Sequence, residues 1–423
     1  MRTSGRGTAN LFNSLDKEEH RVKRRIIGPV IGDSSMRVFE PEMQKRIKTF
    51  LVQILRSDHQ PINMTPRCER LAVDVIGQLG FGYPLNTQVE PNNRVVVEGI
   101  TARGKRSSLY FFWPRLRLLE TLFNMVQGNE PMAGWYKAVT TMIQTRMKMP
   151  HDAKHDVYSL ASPKIGEPGL ITKDLWAEAT FFIAAGGSTT ATALSGAFFY
   201  LSRNLEAYDR LAAEIRTTFA SSKEIRQGAQ LNGCKYLRAV IEETMRMSPS
   251  TLSHAWREQD PASVAKGERL VIDGHVIPPG TQFAVSQYAL QHHEEYFPDP
   301  FKFNPERWLA PTMESLERRD AQASMRRAFA PFSIGDRACA GKPMAWLEMR
   351  LTIAHTLWYF DFKQATGKEG KLGGGDGVNR HDGRGRLDEY QLYDSVVVMH
   401  DGPCLVFEPY KDHWKDLELL DRE

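Results

Sequence analysis

Cysteine is scarce in this sequence. The four cysteines, Cys68, Cys234, Cys339 and Cys404, are scattered over 423 residues. Small secreted domains held together by disulfides have a much denser framework than this. No two cysteines form the CxxC pair that is typical of structural zinc sites. The sequence therefore excludes a disulfide scaffold and contains no zinc signature.

A large excess of charge of one sign is also missing. The 55 Lys and Arg residues against 51 Asp and Glu residues leave a net charge of only +4. Proteins dedicated to nucleic acids are usually far more basic, so we expect no nucleic-acid partner. A hydrophobic content of 41% is ample for a large core. We predict one domain over residues 1–423, with a glycine-rich surface loop at about residues 367–387.

Long apolar runs are rare. Residues 1–10 are polar, so this stretch predicts neither a signal peptide nor a membrane anchor. The segment Thr180–Leu201 has no charged residue, and by length alone it could span a bilayer. Gly186 and Gly187 lie near its centre with hydroxyl side chains beside them, which favours a bent helix that passes close to a ligand. The sequence alone is compatible with both interpretations.

One short segment contains an unusual combination of residues. Residues 332–341 read F-S-I-G-D-R-A-C-A-G, with Cys339 between small residues and Arg337 two positions earlier. Pro343 suits the first turn of a helix, and apolar residues then recur at helical spacing. A helix N-terminus lowers the pKa of a thiol and favours the thiolate. Taken alone, a lone cysteine here is also compatible with a buried structural role.

Every specified position of this segment matches the pattern F-x-x-G-x-R-x-C-x-G. The segment thereby resembles the haem-binding signature of the cytochrome P-450 family, in which a cysteine thiolate holds the haem iron. The resemblance implies haem b, iron protoporphyrin IX, as cofactor, with Cys339 as the axial iron ligand and Arg337 beside the haem. It also implies a mainly α fold with small β-sheets.

The uncharged segment resembles the family's oxygen-binding helix, whose pattern is A-G-x-[D/E]-T-T. Thr189 stands at the position of the oxygen-side threonine, and Ser188 replaces the acidic residue. The resemblance implies catalytic roles in proton delivery for Thr189 and, in place of the acid, for Ser188. The substitution at Ser188 puts the acidic part of that proton relay in doubt.

Three further residues match a buried network of the family. Glu243 and Arg246 are spaced i and i+3 on a predicted helix, and most such pairs are weak surface ion pairs. Arg307 follows in the stretch F-N-P-E-R-W. Together the three resemble the family's Glu-Arg-Arg triad, which supports the loop that carries the thiolate.

A basic helix is predicted over Asp16–Ile27. His20 and Arg24 share one face of it, although a solvated charged helix is the simpler interpretation of this stretch alone. By resemblance the stretch is helix C, and His20, Arg24 and the later Arg257 bind the haem propionates. We therefore expect this chain to lack the family's membrane anchor and its first helices and strands.

The implied function is that of a monooxygenase, which inserts one oxygen atom of O2 into a small apolar organic substrate. By resemblance, electrons come from NADPH through an NADPH-cytochrome reductase. The resemblance also implies a location at the cytoplasmic face of the endoplasmic reticulum membrane and a role in fungal secondary metabolism. Basic residues expected to dock the reductase flank the thiolate side: Lys23, Arg25, Arg326, Arg327 and Lys342. Two alternatives stay open, a haem-thiolate isomerase or peroxygenase without reductase, and a truncated inactive relic.

Overall fold

The fold is described by a computed structural model that covers residues 8–119, 130–162, 170, 172–252, 255–309, 316–378, 381–396 and 398–417. Long helices dominate this part of the chain, and the strands are short. The predicted mainly α fold with small β-sheets is confirmed. Ser253 and His254, predicted by resemblance to face the substrate pocket, lie outside the described residues.

The helices in chain order are α1 (Lys17–Ile27), α2 (Asp33–Leu55), α3 (Met64–Phe81), α4 (Val95–Phe112), α5 (Glu130–Met147), α6 (Val157–Ala161), α7 (Thr172–Arg203), α8 (Leu205–Thr218), α9 (Ala229–Gly233), α10 (Lys235–Met247), α11 (Pro261–Ala265), α12 (Gln287–Gln291), α13 (Leu316–Ala328), α14 (Lys342–Tyr359) and α15 (Gly367–Gly370). The strands are β1 (Ile62–Asn63), β2 (Leu270–Ile272), β3 (His275–Ile277), β4 (Phe360–Gln364) and β5 (Cys404–Pro409).

Helix α1 begins where the sequence predicts. The Asp16 carboxylate accepts a hydrogen bond of 2.7 Å from the backbone N–H of Glu19, so Asp16 is the N-cap. Glu18 and Glu19 lie in the first turn and Arg24 and Arg25 in the last, an arrangement that complements the helix dipole. These local signals explain why the predicted and observed bounds of this helix agree.

Helix α7 is the central element of the core. It runs unbroken from Thr172 to Arg203, and α3 packs along it. A Cβ atom added at Gly186 would lie 2.8 Å from Ile76, and one at Gly187 would lie 2.7 Å from Val73. The two glycines therefore permit close packing against α3, whereas the sequence had suggested that they bend the helix beside a ligand.

Membrane-spanning character was the alternative interpretation of the same segment. In the described part of the chain no helix, α7 included, is both long and apolar enough to cross a membrane. This finding contradicts the interpretation of residues 180–201 as a bilayer span.

The strands form two small antiparallel sheets. One has the order β1-β5-β4, with Phe362 opposite Phe407, and the other is the β2-β3 hairpin. The hairpin turns at Asp273-Gly274, a turn signal in the sequence, and both residues have positive φ. The sequence also predicts a hairpin of residues 395–399 with 404–407 across Asp401-Gly402-Pro403. That prediction is wrong, because β5 pairs instead with the distant strands β4 and β1.

The glycine-rich segment at 367–387 is a surface loop only in part. Gly373 has a φ of +91°, and a Cβ atom there would lie 3.0 Å from Tyr390 and 3.1 Å from Phe199. Gly375 donates a 2.8 Å hydrogen bond to the carbonyl of Arg386, so the segment folds back on itself. These glycines allow the loop to lie directly against the aromatic core.

Candidate active site

A tight turn precedes Cys339. The backbone N–H of Cys339 donates to the carbonyl of Phe332 at 2.7 Å, and Ser333 and Gly335 adopt positive φ values of 57° and 74°. Helix α14 then begins at Lys342. The amides of Gly341 and Lys342 donate hydrogen bonds to the sulfur. The predicted placement of Cys339 just ahead of a helix N-terminus is therefore confirmed.

The Cys339 side chain is exposed to solvent, unlike the other three cysteines. Nevertheless, the pKa of this thiol is raised, because burial within the protein disfavours the charged thiolate. The amides of Gly341 and Lys342 and the charges of Arg24 and Lys342 lower the pKa, but their effect is smaller. The helix N-terminus alone thus does not produce a thiolate. A sulfur that is surrounded by protein and still accessible is the arrangement expected at the wall of an open cavity.

Four residues predicted to bind the haem lie close to one another. Arg24 Nη1 donates to the carbonyl of Ala338 at 2.8 Å, directly beside Cys339. The pKa of His20 is lowered by burial and by the charges of Arg337 and Arg24. The pKa of Arg337 is lowered by burial and by the nearby charge of Arg257. The fold therefore brings together side chains that are more than 300 positions apart in the sequence.

The guanidinium groups at this site make no ion pair within the described residues. Arg24, Arg257 and Arg337 each lie more than 4.0 Å from any carboxylate oxygen there. The Arg257 side chain donates to the carbonyls of Ala255 and Trp256, and the Arg337 side chain donates to the carbonyl of Ser14 at 2.6 Å. A group of unpaired guanidinium side chains is suited to bind carboxylates. An accessible thiol beside such a group fits a haem, with its iron and its two propionates.

Hydroxyl side chains occupy the centre of α7. Thr189 Oγ1 donates to the carbonyl of Ala185 at 2.8 Å, and Ser188 Oγ donates to that of Ala184 at 2.8 Å. Ser188 is buried, whereas Thr189 is half-buried. The proton of Ser188 is therefore already engaged in a hydrogen bond. A neutral, occupied hydroxyl stands where the family pattern has an acid.

The carboxylate of Glu243 is the centre of a buried network. Arg246 donates to both of its oxygens at 2.9 Å, and Arg307 Nε donates to Oε1 at 3.1 Å. Neither Glu243 nor Arg246 is exposed to solvent. Arg246 also donates to the carbonyls of Gln291 and Pro300, at 2.9 and 2.7 Å. The three residues that the sequence singled out thus form one connected ion network.

Two further donors to Glu243 were not predicted from the sequence. The backbone N–H of Asn304 donates to Oε1 at 2.9 Å, and Trp308 Nε1 donates to Oε2 at 2.8 Å. The Trp308 ring lies 4.5 Å from that of Phe329, in the segment that leads to the cysteine turn. In the sequence, the signal that could have indicated this role of Trp308 is its position directly after Arg307.

The predicted docking residues have different environments. Arg25, Arg326, Arg327 and Lys342 are exposed. Lys23 is buried, and its Nζ lies 3.2 Å from Asp174 and 3.3 Å from Glu178. The proposal that Lys23 docks a reductase is therefore wrong, because its charge is paired inside the protein.

Comparisons with known proteins indicate one family for this chain. The family model of cytochrome P-450 matches residues 2–384. A cytochrome P-450 monooxygenase of Gibberella zeae is 34% identical over 94% of this chain and 91% of its own length. The monooxygenase atnE of Emericella nidulans is 31% identical over 95% of this chain and 77% of its own. The crystal structure of the cytochrome P-450DA haem domain has 18% identity and a TM-score of 0.72, covering 96% of this chain and 80% of that one.

The fold is that of cytochrome P-450 haem domains. This chain belongs to the cytochrome P-450 family. Its activity class is that of a monooxygenase, an oxidoreductase that uses haem iron, O2 and an organic substrate.

Proposed function

We propose that Cys339 is the axial ligand of the haem iron, and that His20, Arg24, Arg257 and Arg337 hold the haem propionates. The observation that carries this proposal is an accessible sulfur next to arginine side chains that form no ion pair within the described residues. Haem with a thiolate ligand supplies the chemistry that places one oxygen atom of O2 in the substrate and releases the other as water.

Haem iron requires a deprotonated ligand, although burial raises the pKa of the Cys339 thiol in the protein itself. A cysteine must lose its proton to bind a metal ion, and the iron's own charge promotes that loss. The amides of Gly341 and Lys342 then donate to a thiolate rather than to a thiol. Hydrogen bonds to a charged acceptor are stronger, so this arrangement stabilises the bound form.

Thr189 is proposed to hold the proton-bearing water on the oxygen side. Its hydroxyl proton is donated to Ala185, which leaves the oxygen lone pairs free to accept a hydrogen bond from water. Ser188 donates its proton to the carbonyl of Ala184 in the same way, but its side chain is buried, so it is proposed to take no direct part. Water that reaches Thr189 would then supply the protons that an acid supplies in the family pattern.

The Glu243 network is proposed to hold the segment before the cysteine turn in place. Arg307 and Trp308 lie in one loop, Glu243 and Arg246 lie on α10, and the Trp308 ring packs against Phe329. A buried ion pair that loses one member leaves an unpaired charge, at a cost of about 3–5 kcal/mol. The network therefore supports the iron ligand at a distance.

Electron supply is proposed to come from NADPH through an acidic reductase that docks near Arg25, Arg326, Arg327 and Lys342. These side chains are exposed and flank α1 and the cysteine turn. An endoplasmic reticulum location is proposed from family membership. A role in fungal secondary metabolism and a small apolar substrate are proposed from the fungal relatives, which are monooxygenases.

The deciding experiment is the carbon monoxide difference spectrum of the reduced protein. Cys339→Ala is expected to lose the red-shifted band that a thiolate ligand produces, while Cys68→Ala, Cys234→Ala and Cys404→Ala keep it. Cys68 is the sharpest control, because it is fully buried and burial raises the pKa of its thiol to about 12. An unchanged spectrum in Cys339→Ala would refute the proposed ligand.

Reductase dependence separates monooxygenation from the reductase-free alternative. Turnover that requires NADPH and reductase supports the proposed function, while turnover without them supports an isomerase or peroxygenase. The relatives, named monooxygenases, favour the first outcome. The haem spectrum itself distinguishes both from an inactive relic.

A further inference from the structure

Lys23 has an unusual environment for a lysine of a basic helix. It is 3% exposed, although its neighbours Arg21, Val22 and Arg25 on α1 are exposed. Lysine is almost never fully buried unless its charge is paired. Arg24, the next residue, donates to the carbonyl of Ala338 beside Cys339. Helix α1 thus directs one cation toward the cysteine turn and another into the protein interior.

The buried ammonium meets two carboxylates of α7. Lys23 Nζ lies 3.2 Å from Asp174 Oδ1 and 3.3 Å from Glu178 Oε1, and it donates to the carbonyl of Ala9 at 2.6 Å. Glu178 is only 1% exposed. Both oxygens of Glu178 also accept the backbone N–H of Leu11, at 2.9 and 3.0 Å. Three charged side chains and one backbone segment therefore meet at one buried point.

That backbone segment, Ala9–Ser14, is called the strap below. Besides its bonds to Lys23 and Glu178, its Phe12 ring stacks on Phe181 with centroids 5.4 Å apart. At its other end, Arg337 Nη1 donates to the carbonyl of Ser14 at 2.6 Å. The strap is thus attached both to α7 and to the turn that carries Cys339.

The attachment to α7 lies on the same side as Thr189. Phe181, Ala185 and Thr189 are spaced four residues apart, so they follow one another along one face of the helix, and all three are half-buried. The strap, through Phe12, covers the first of them. The strap is therefore attached to the face of α7 that carries Thr189 two turns farther on.

We propose that Lys23, Asp174 and Glu178 form a buried ion cluster that fixes the strap and α1 against α7, and so sets the geometry between the Thr189 face and the Cys339 turn. Lys23 and Glu178 are positioning residues, since they act through Leu11, Phe12 and Arg337. The effect on catalysis rests on the proposed function, because it assumes the roles proposed for Thr189 and Cys339. The cluster itself is testable without it.

The charge of Glu178 is the sensitive element of the cluster. Burial raises the pKa of Glu178 to about 7, while the Leu11 amide and Lys23 lower the pKa and Asp174 raises it. The charged groups that face it are Lys23 and Asp174, with Glu19 lying 3.9 Å from Lys23 Nζ. A neutral carboxyl accepts the Leu11 amide more weakly than a carboxylate does. Protonation is therefore expected to loosen the strap.

Hydrogen exchange of residues 9–14 in the full haem-loaded chain tests the proposal directly. Lys23→Met and Glu178→Gln are each expected to speed exchange there at least about tenfold, because local opening becomes easier. Arg21→Met, an exposed change on the same helix, is the matched control and is expected to leave the exchange of residues 9–14 unchanged. Exchange as slow as in the parent in both cluster variants would overturn the proposal.

Two more measurements keep the test decisive if a variant folds poorly. In the parent, protection of the Leu11 amide, corrected for the intrinsic rate, is expected to fall about tenfold as pH drops below 7; a flat profile contradicts the cluster. Lys23→Arg, which keeps the charge, is expected to preserve protection. The affinity of the haem-loaded protein for phenylimidazole is expected to weaken several-fold in Lys23→Met, while the carbon monoxide band of this variant stays intact. Loss of that band in Cys339→Ala would concern the proposed iron ligand and not the ion cluster.

Discussion

The indole Nε1 of Trp308 donates a hydrogen bond of 2.8 Å to Oε2 of Glu243, the oxygen that also accepts Nε of Arg246. Trp308 thereby joins an ion network on one side and the Phe329 ring on the other. Because Phe329 lies three residues before Phe332, whose carbonyl accepts the Cys339 amide, this bond connects the network to the cysteine turn.

Trp308→Phe removes this bond and keeps an aromatic ring against Phe329. A lost hydrogen bond to a buried charge is expected to lower the free energy of unfolding by about 1–3 kcal/mol. Urea denaturation measures the change. Trp414→Phe is the control, since the Trp414 indole donates no hydrogen bond within the described residues, and a change of similar size there would remove the specific role of Trp308.

Glu243→Gln tests the charge at the centre of the network. It leaves Arg246 and Arg307 without a carboxylate, so the free energy of unfolding is expected to fall by about 3–5 kcal/mol. Glu408→Gln is the control, because the side chains of Glu408 and its partner Lys363 are 51% and 66% exposed and such pairs contribute less than about 1 kcal/mol. Equal losses in the two variants would contradict the special importance of Glu243.

Thr189→Ala tests proton delivery. The variant keeps Cys339 and the cations, so haem loading and substrate affinity are expected to stay within about twofold, while product formed per NADPH falls about tenfold or more. Thr189→Ser retains a hydroxyl and is expected to restore most of the coupling. Thr192→Ala removes a buried hydroxyl that donates to Ser188, one turn farther on. If that control uncouples the reaction as strongly, the role belongs to the helix rather than to Thr189.

Glu348 predicts a pH dependence of stability. Both of its carboxylate oxygens are buried and have no hydrogen-bond partner among the described residues, and burial raises its pKa to about 8. The folded state then binds a proton that the unfolded state releases above about pH 4.5, so stability falls as pH rises from about 4.5 to 8, by at most about 5 kcal/mol.

Glu348→Gln is expected to flatten this part of the stability curve. The amide stays neutral at every pH, so the variant should gain on the parent as pH rises through this range, as measured by urea denaturation at pH 5, 6.5 and 8. Glu42→Gln, a half-buried carboxylate in a local pair with Lys45, serves as control. A slope that persists unchanged in Glu348→Gln would show that other groups cause it.

Reductase docking predicts a dependence on salt. Exposed charges are screened beyond about 8 Å at roughly 0.15 M salt, so the affinity for an acidic reductase is expected to weaken as salt increases. Arg327→Glu should weaken it further, about tenfold, while Lys371→Glu, an exposed change elsewhere, should not. An affinity that is insensitive to both salt and Arg327→Glu would place docking on another surface.

Local patterns in the sequence determined much of this protein. Asp16 and the charges around it determined where α1 begins, because capping needs only residues a few positions apart. The spacing of Glu243 and Arg246 places them on neighbouring turns of one helix. The spacing around Cys339 places the sulfur just before α14, where two amides reach it. Each of these features is set within about ten residues.

Tertiary structure alone decided the rest. Lys23 looks like its exposed basic neighbours, and only the packing of α1 against α7 brings it to Glu178, more than 150 positions away. Strand β5 could have paired with the residues just before it, but strand pairing depends on which edges the fold brings side by side, and β4 and β1 lie there. The amides of Gly341 and Lys342 favour a thiolate at Cys339, yet burial outweighs them. Long-range burial and pairing depend on the whole chain, and a local pattern contains no measure of either.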